Sequence, residues 1–375
     1  MRNKSVTVLD IRSSEICAAI AEKGVNNTFI IKSKYSQPYE GFAEGEILDV
    51  DDFVSAVKHA LGNVLSSADS PAKCVYVGVP CEFTEAVQTD KVISFQSSQR
   101  ISQKHIQSLI NNSRPVVRQD ETIIKCGAQY FVLSDKRRLV NPVGMVSDSL
   151  RAKLSFFKCK TVFLDTVTRA LNGVAPFKEI VWLPQNYTEG LYLIEPEKRD
   201  GYALLFDMGF ISSTFSVLCG NGVAFGEAFS IGVGHIAVLL MEALDIPYQA
   251  ALELMKKVNL NAKDTQSSVS EYYSADGEIY AFETGELRAL IKEGLDGICE
   301  MLETCLQSFT PKDMTGAPIY ITGEGVNVIR GTIEHFSSRL VTPVEVTAPN
   351  LPYYDKPQFS SLFSLLHAAL GGDGV

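Results

Sequence analysis

Short apolar runs alternate along the chain with segments whose apolar residues recur every three or four positions. The first pattern is typical of buried strands and the second of amphipathic helices. Ser5–Ile20 predicts two strands joined by a turn, and Phe29–Ser33 predicts a third strand. A helix follows, and Asp51 or Asp52 is its expected N-terminal cap. Strands and helices in this order predict an α/β fold.

The pattern changes between about Cys81 and Cys159, after the strand-like run Cys74–Pro80. This part combines a predicted helix, Ser102–Ser113, with a predicted strand, Ile123–Leu133. A local mixture of this kind predicts a small α+β insertion in the larger α/β fold.

The α/β alternation resumes after this insertion, where Lys160–Asp165 is predicted to form a strand. Leu204–Gly209 begins a second set of strands, and Gly234–Phe309 is predicted to be mostly helical. Pro318–Gly325 indicates a strand that runs into a glycine turn. Phe359–Leu370 is apolar enough to be a last helix that packs on the first part of the fold.

The composition is that of a globular protein, with 46% hydrophobic and 21% charged residues in a chain of 375. Such a length predicts at least two domains. The net charge of -10 argues against nucleic acid as the main partner. We expect no signal peptide and no membrane-spanning helix, because no apolar segment is long enough. The eight cysteines form no CxxC pair, which predicts reduced cysteines rather than a metal site.

Two aspartates, half a chain apart, follow apolar strands in similar settings. Asp10 lies in VTVLDIRSSEICAAI, and Asp207 lies in YALLFDMGFISSTFSVL. Each segment predicts a strand, a tight turn with hydroxyl residues and a second strand, and N–H groups in such turns bind phosphate. Thr322–Asn327 adds a glycine turn that a flat base can approach. Together they predict a site for a nucleoside triphosphate, in which Asp10 and Asp207 hold Mg²⁺ through water.

The order of hairpin, insertion, hairpin, helical block and glycine turn is that of the actin, sugar-kinase and heat-shock chaperone superfamily. It predicts an actin-like ATPase fold with two lobes, each with a mixed sheet flanked by helices, and with a small α+β insertion in the first lobe. The predicted parts are residues 1–80 and 161–200 with the helix 356–370 for the first-lobe core, 81–160 for the insertion, 201–235 and 306–355 for the second-lobe core, and 236–305 for its helical subdomain.

One segment narrows this resemblance to the FtsA family of bacterial cell-division proteins. Asn141–Leu150, NPVGMVSDSL, resembles the NPxGMxGxxL signature of the family's inserted SHS2 subdomain, with Ser147 in place of a glycine. Ala251–Leu260 resembles the family's AExxK helix, with Glu253 and Lys256 at the matching positions. The resemblance extends over nearly the whole chain.

The resemblance implies ATP-binding roles for residues in four segments. These are Asp10, Ser13 and Ser14 with Arg12 in the first phosphate loop, Asp207, Gly209, Ser213 and Thr214 in the second, Glu253 and Lys256 near the ribose and adenine, and Gly323, Gly325 and Val326 around the adenosine. No catalytic base is identified. Glu195 and Glu197 lie in a stretch where one could occur, but we expect them to be surface carboxylates.

FtsA proteins, as the resemblance implies, bind ATP, polymerise through the inserted subdomain and bind the C-terminal tail of the tubulin-like FtsZ. We therefore expect a cytoplasmic division or cytoskeletal scaffold that self-associates and binds FtsZ-like or other division partners. No counterpart of the family's amphipathic membrane helix follows Leu370, so we expect any contact with the cell membrane to be indirect. Gly294 and Gly297 replace an Arg and a Glu of the family, which removes charges near the expected partner site.

Residues that the family places close to the phosphates are replaced in all three loops. In the first loop Arg12 replaces a glycine and Glu15 a lysine. Phe210 and Ile211 replace glycines in the second loop, and Glu324 replaces one in the third. These changes predict weak or lost ATP binding and at most a weak ATPase. Arg12 would either occlude the phosphates or bind them with its guanidinium group.

Three other interpretations of the same pattern remain. The chain could be a nucleotide-independent adaptor that keeps the fold alone, a PilM-like component of a pilus assembly platform, or a small-molecule kinase. The NPVGM segment favours a division protein over a pilus component. The altered loops argue against a kinase.

Overall fold

The computed structural model describes residues 5–25, 28–67, 73–262, 268–309 and 317–371. As predicted, they form two mixed sheets flanked by helices and a smaller inserted sheet. Within these ranges, no helix combines the length and the apolar character needed to cross a bilayer.

The secondary structure follows in chain order. The strands are β1 (Ser5–Ile11), β2 (Glu15–Lys23), β3 (Phe29–Pro38), β4 (Phe42–Ala43), β5 (Glu46–Ile47), β6 (Cys74–Val79), β7 (Thr84–Arg100), β8 (Glu121–Leu133), β9 (Arg138–Leu139), β10 (Val146–Lys160), β11 (Glu179–Pro184), β12 (Ala203–Asp207), β13 (Ser213–Cys219), β14 (Gly222–Phe229), β15 (Val269–Tyr273), β16 (Ile279–Glu283), β17 (Ile319–Thr322) and β18 (Val344–Val346). The α-helices are α1 (Val50–Ser66), α2 (Gln103–Asn112), α3 (Thr161–Asn172), α4 (Gln185–Leu193), α5 (Pro196–Arg199), α6 (Gly234–Leu244), α7 (Tyr248–Lys257), α8 (Thr284–Ser308), α9 (Thr332–Arg339) and α10 (Ser360–Ala369).

The first-lobe sheet has the strand order β11-β6-β1-β2-β3. β1 pairs antiparallel with β2 and parallel with β6. Successive side chains of a strand point to opposite faces, so Leu9 packs with the helices α1 and α3, whereas Val8 packs against α10. Leu362 and Leu366 of α10 are fully buried there, which confirms that the last helix packs on the first lobe.

Two local predictions in this lobe were wrong. Asp49, not Asp51 or Asp52, caps α1, because its carboxylate accepts hydrogen bonds of 2.9 Å from the N–H groups of both. The buried apolar positions of this helix begin only at Phe53, so the apolar pattern does not mark its first residue. Lys160–Asp165 is not a strand, since α3 begins at Thr161. A short apolar run fits a strand or a helix equally well, and here the packing decides.

The insertion consists of a sheet with the order β7-β10-β8-β9 and the helix α2. Ile106 and Leu109 of α2 are buried against Phe131 and Leu150 of this sheet. The helix and the strand predicted within the insertion are both present.

The second-lobe sheet has the order β14-β13-β12-β17-β18. β12 pairs antiparallel with β13 and parallel with β17, as β1 pairs with β2 and β6 in the first lobe. The stretch predicted to be mostly helical contains α6, α7 and α8, but also the hairpin β15–β16. The loops that follow β1, β12 and β17 leave the carboxyl ends of their strands, where ligands bind in sheets of this kind.

Candidate functional site

The loops after β1, β12 and β17 meet between the two lobes. We call this place the interlobe site and define it by Arg12–Ser14, Met208–Ser212 and Gly323–Glu324. The N–H of Ile211 donates to Ser13 Oγ over 3.1 Å, which joins the first loop directly to the second. The two hairpins that carry Asp10 and Asp207 therefore face each other across a single crevice, as the sequence predicts.

Asp10 is a fully buried carboxylate that three side chains surround. Arg12 Nε donates to Asp10 Oδ2 over 2.9 Å, and Gln185 Nε2 and Ser361 Oγ donate to Asp10 Oδ1 over 2.8 and 2.6 Å. Gln185 begins α4 and Ser361 lies in α10, so these two helices reach the end of β1. Donors from the first loop, from α4 and from α10 therefore fix the position of the Asp10 carboxylate.

Arg12 lies among carboxylates instead of extending into an open cleft. Its Nη1 is 2.9 Å from Glu15 Oε1 and 3.9 Å from Glu324 Oε2, in addition to the contact with Asp10. Burial lowers the pKa of Arg12, but Asp10, Glu324 and Glu15 together raise it above its ordinary value. The guanidinium group is therefore a fixed cation whose donors are directed at the protein's own acids.

Glu324 connects all three loops through one carboxylate oxygen. The N–H of Phe210 donates to Glu324 Oε1 over 3.2 Å, and Ser14 Oγ donates to the same atom over 3.3 Å. Burial raises the pKa of Glu324, and Arg12 opposes this effect. Gly323, at φ +105°, precedes Glu324 and passes so close to Asp207 that a Cβ atom there would overlap its carboxylate.

Asp207 and Glu189 form a second acidic pair in the same crevice. Burial raises the pKa of Asp207 to about 7, as do Glu324 and Asp10, while Arg12 opposes them. Glu189, only 2% exposed, has a pKa well above its usual range because of its burial and the charges of Asp207 and Asp10. Such a pair holds at least one proton near neutral pH.

Glu189 and Gln185 were not predicted from the sequence. Glu195 and Glu197, the two carboxylates considered as a catalytic base, are both exposed at α5. The available signal was the position of Gln185 directly after β11, a strand parallel to β6, with Glu189 four residues later in the same helix. A helix that begins at the end of such a strand directs its first turns toward the crevice.

The space left at the interlobe site is a cavity of about 50 Å³. Six of the predicted ATP-binding residues contribute to its lining, namely Arg12, Ser13, Asp207, Gly209, Thr214 and Gly323. Ligand pockets usually measure roughly 300–1,000 Å³. The cavity is thus far too small for a nucleoside triphosphate in this arrangement of the loops.

The remaining predicted ATP-binding residues do not line this cavity. Ser213 Oγ donates to the carbonyl oxygen of Ile231 over 2.7 Å. The N–H of Gly325 donates to the carbonyl oxygen of Met208 over 2.8 Å, and Val326 is buried in the core of the second lobe. Glu253 and Lys256 form an ion pair of 2.8 Å on the surface of α7. Their roles toward ATP stay predictions.

The donor set of the interlobe site does not suit bound ATP with Mg²⁺. The N–H groups of Phe210 and Ile211, which phosphate oxygens would need, already donate to Glu324 and Ser13. Asp10 is engaged by Arg12, Gln185 and Ser361. Within the described ranges, no cluster of three or more His, Cys, Asp or Glu residues is arranged to hold a metal ion.

Comparison with known proteins identifies the insertion and its relatives. The family model "SHS2 domain inserted in FTSA" matches residues 83–157. The cell division protein FtsA of Neisseria meningitidis serogroup B is 21% identical over 100% of this chain and 92% of its own length. FtsA of Bacillus subtilis is also 21% identical, over 98% of this chain and 84% of its own.

Solved structures of similar fold include the PilM-PilN type IV pilus biogenesis complex, with a TM-score of 0.66 and 14% identity over 97% of this chain and 98% of that chain. MreB5 of Spiroplasma citri bound to AMPPNP gives a TM-score of 0.56 and 11% identity over 97% and 95%. These similarities confirm the predicted class: the chain has the actin-like ATPase fold with an SHS2 insertion. Within that class, the insertion matches the FtsA-type SHS2 model, and the whole chain is similar to FtsA cell-division proteins at about one fifth identity.

Proposed function

We propose that this FtsA-like protein is a scaffold of cell division that self-associates, binds division partners such as FtsZ, and does so without requiring bound ATP. The independence from ATP rests on one observation at the interlobe site. There, Glu324 and Ser13 accept hydrogen bonds from the N–H groups that phosphates would need. The small cavity of the interlobe site and the FtsA-type SHS2 insertion together suit a protein that acts by binding rather than by turnover.

The inserted sheet supports the proposed self-association. β7 is one edge strand of this sheet; it is 17 residues long and pairs with β10 on one side. Long edge strands offer N–H and C=O groups to another chain. Val92, in the middle of β7, is an apolar side chain that is 56% exposed. Association along this strand would bury it.

Titration of MgATP into the purified chain tests the nucleotide part of the proposal. We expect no binding up to millimolar MgATP, because the cavity is small and carboxylates surround it. Micromolar binding that Asp207→Ala abolishes would contradict it and would support an ATP-dependent scaffold instead.

Co-sedimentation tests the association part. We expect the chain to pellet with FtsZ filaments and to form sedimenting assemblies without nucleotide. Val92→Glu is expected to reduce the assemblies, because association would have to bury the new charge. Val341→Glu is the matched control, since Val341 is 99% exposed in the second lobe, away from β7. Equal pelleting of both variants and the unchanged chain would contradict an interface at β7.

A second candidate function is a component of a pilus assembly platform. The structural similarity to the PilM-PilN complex favours it, because that TM-score of 0.66 exceeds the 0.56 for MreB5. The FtsA-type insertion over residues 83–157 favours division. Binding to a PilN-type peptide without any co-sedimentation with FtsZ would select the pilus function.

A further inference from the structure

We propose that the Glu324 carboxylate is a built-in substitute for a bound phosphate and that it ties the two lobes together in place of a nucleotide. This inference rests on the proposed nucleotide independence and names the group responsible for it. It also implies that a latent phosphate-binding site lies beneath this side chain.

Glu324 accepts hydrogen bonds from both of the facing hairpins. A phosphate between two facing hairpins would accept hydrogen bonds from both of them. Glu324 Oε1 accepts from Ser14 Oγ of the first-lobe hairpin and from the N–H of Phe210 in the second-lobe hairpin. The carboxylate itself belongs to the third loop. One anionic group therefore joins three loops that are far apart in the sequence.

The guanidinium group of Arg12 faces carboxylates of the protein itself. Arg12 Nη1 lies 3.9 Å from Glu324 Oε2 and 2.9 Å from Glu15, while Nε binds Asp10. An arginine that served an external phosphate would leave its outer nitrogen atoms free for that ligand. Here the protein supplies the anions on the outer side of the guanidinium group as well.

A phosphate that entered the crevice would meet several carboxyl groups. Asp10, Glu15, Asp207 and Glu324 surround Arg12 or face the crevice, and Glu189 is buried beside them. A triphosphate brings about four more negative charges, and repulsion between unit charges is strong in a poorly hydrated crevice. Among these carboxylates, Glu324 is the one that accepts hydrogen bonds from Ser14 Oγ and from the N–H of Phe210, the donors that a phosphate would use.

Removing the carboxylate and the arginine should reopen the loops. Glu324→Gly frees Ser14 Oγ and the N–H of Phe210, and the double variant Arg12→Gly/Glu324→Gly also removes the side chain that occupies the first loop. Calorimetry with inorganic phosphate and with MgATP measures the outcome. We expect Glu324→Gly, which removes one negative charge and frees two donors, to bind inorganic phosphate and MgATP at least about tenfold more tightly than the unchanged chain. The double variant also loses the cation that neutralises Asp10 and Glu15, so it should gain less than Glu324→Gly. Glu44→Gly, in an exposed loop at φ +52°, is the matched control and should gain nothing.

Thermal unfolding provides a second measurement, which also shows whether each variant is folded. Glu324→Gly should lower the unfolding temperature, and inorganic phosphate should restore part of that loss but leave the unchanged chain and Glu44→Gly unaffected. If Glu324→Gly does not fold, Glu324→Gln serves instead. It keeps an oxygen acceptor and removes the charge, so it should bind phosphate more tightly than the unchanged chain.

The results separate this inference from the proposed function. Tight MgATP binding by the unchanged chain would overturn both. An unchanged chain that binds nothing, beside folded Glu324 variants that also bind neither phosphate nor MgATP, would overturn only the role of Glu324. Gain of binding in the Glu324 variants, without gain in Glu44→Gly, would support it.

Discussion

Asp10 and Asp207 end equivalent strands in the two lobes, yet their surroundings differ in almost every respect. Asp10 is fully buried and accepts hydrogen bonds from Arg12, Gln185 and Ser361 at 2.6 to 2.9 Å. Asp207 lies beside Glu189 and Glu324, and its pKa is raised to about 7.

This difference shows that two related hairpins of one chain have taken different roles. The first-lobe carboxylate accepts hydrogen bonds from three side chains and holds them at the end of β1. The second-lobe carboxylate gains and loses a proton near neutral pH, because burial and neighbouring acids oppose its charge. The first-lobe aspartate therefore contributes to the stability of the fold, whereas the second carries a charge that depends on pH.

The largest effect is expected for Asp10→Ala. It leaves a buried guanidinium, an amide and a hydroxyl group without their shared acceptor, and it should lower the free energy of unfolding by about 3 kcal/mol. Urea unfolding at pH 7 measures this change. Asp165→Ala, on the exposed side of α3, is the control and should have almost no effect. If both variants lost a similar amount of unfolding free energy, Asp10 would contribute no more to stability than an exposed aspartate.

Asp207→Asn should raise the free energy of unfolding, the opposite of the effect expected for Asp10→Ala. The folded pKa of Asp207 is above the unfolded one, so the folded state binds the proton more tightly, and stability falls as pH rises from about 4 to about 7. The asparagine variant lacks this charge and should be more stable than the unchanged chain at pH 8, by roughly 2 kcal/mol.

Unfolding measured at pH 5 and at pH 8 tests this sign. The advantage of Asp207→Asn should be smaller at pH 5, where the folded chain keeps its own proton. A variant that is less stable than the unchanged chain at both pH values would show that the Asp207 anion stabilises the fold, and the contrast with Asp10 would fail.

A smaller effect is expected for Ser361→Ala, which removes one of the three donors of Asp10. The hydrogen bond of 2.6 Å is made to a buried anion, so its loss should cost about 1 kcal/mol. Ser338→Ala is the matched control, because Ser338 Oγ donates to the carbonyl oxygen of His335 at the surface of α9. Equal unfolding midpoints for the two variants would indicate that Arg12 and Gln185 alone hold Asp10.

The smallest effect is expected for Glu253→Ala in α7. The ion pair with Lys256 lies at the surface, and such pairs contribute less than about 0.5 kcal/mol. Its unfolding midpoint should equal that of the unchanged chain within the error of urea titration. A loss of more than about 1 kcal/mol would show that exposed carboxylates matter as much as those of the interlobe site.

Much of the site was predictable, because its parts lie at strand ends. Asp10 and Asp207 were found by the similarity of their hairpins, and the loops that they begin do meet. The replacements Arg12 and Glu324 were recognised as obstacles to phosphate. Gln185, Glu189 and Ser361 were not found, since they reach the crevice from helices whose orientation depends on the packing of β11 and α10.

The sequence by itself determined the two lobes, the insertion and the pair of aspartates, because these follow from local apolar periodicity and from recurring motifs. The tertiary structure alone decided what the altered residues do. Arg12 was compatible with either occluding or binding a phosphate, and only the distances to Asp10, Glu15 and Glu324 show that it binds the protein's own acids. Charges interact through space, and residues about three hundred positions apart become neighbours only when the chain has folded.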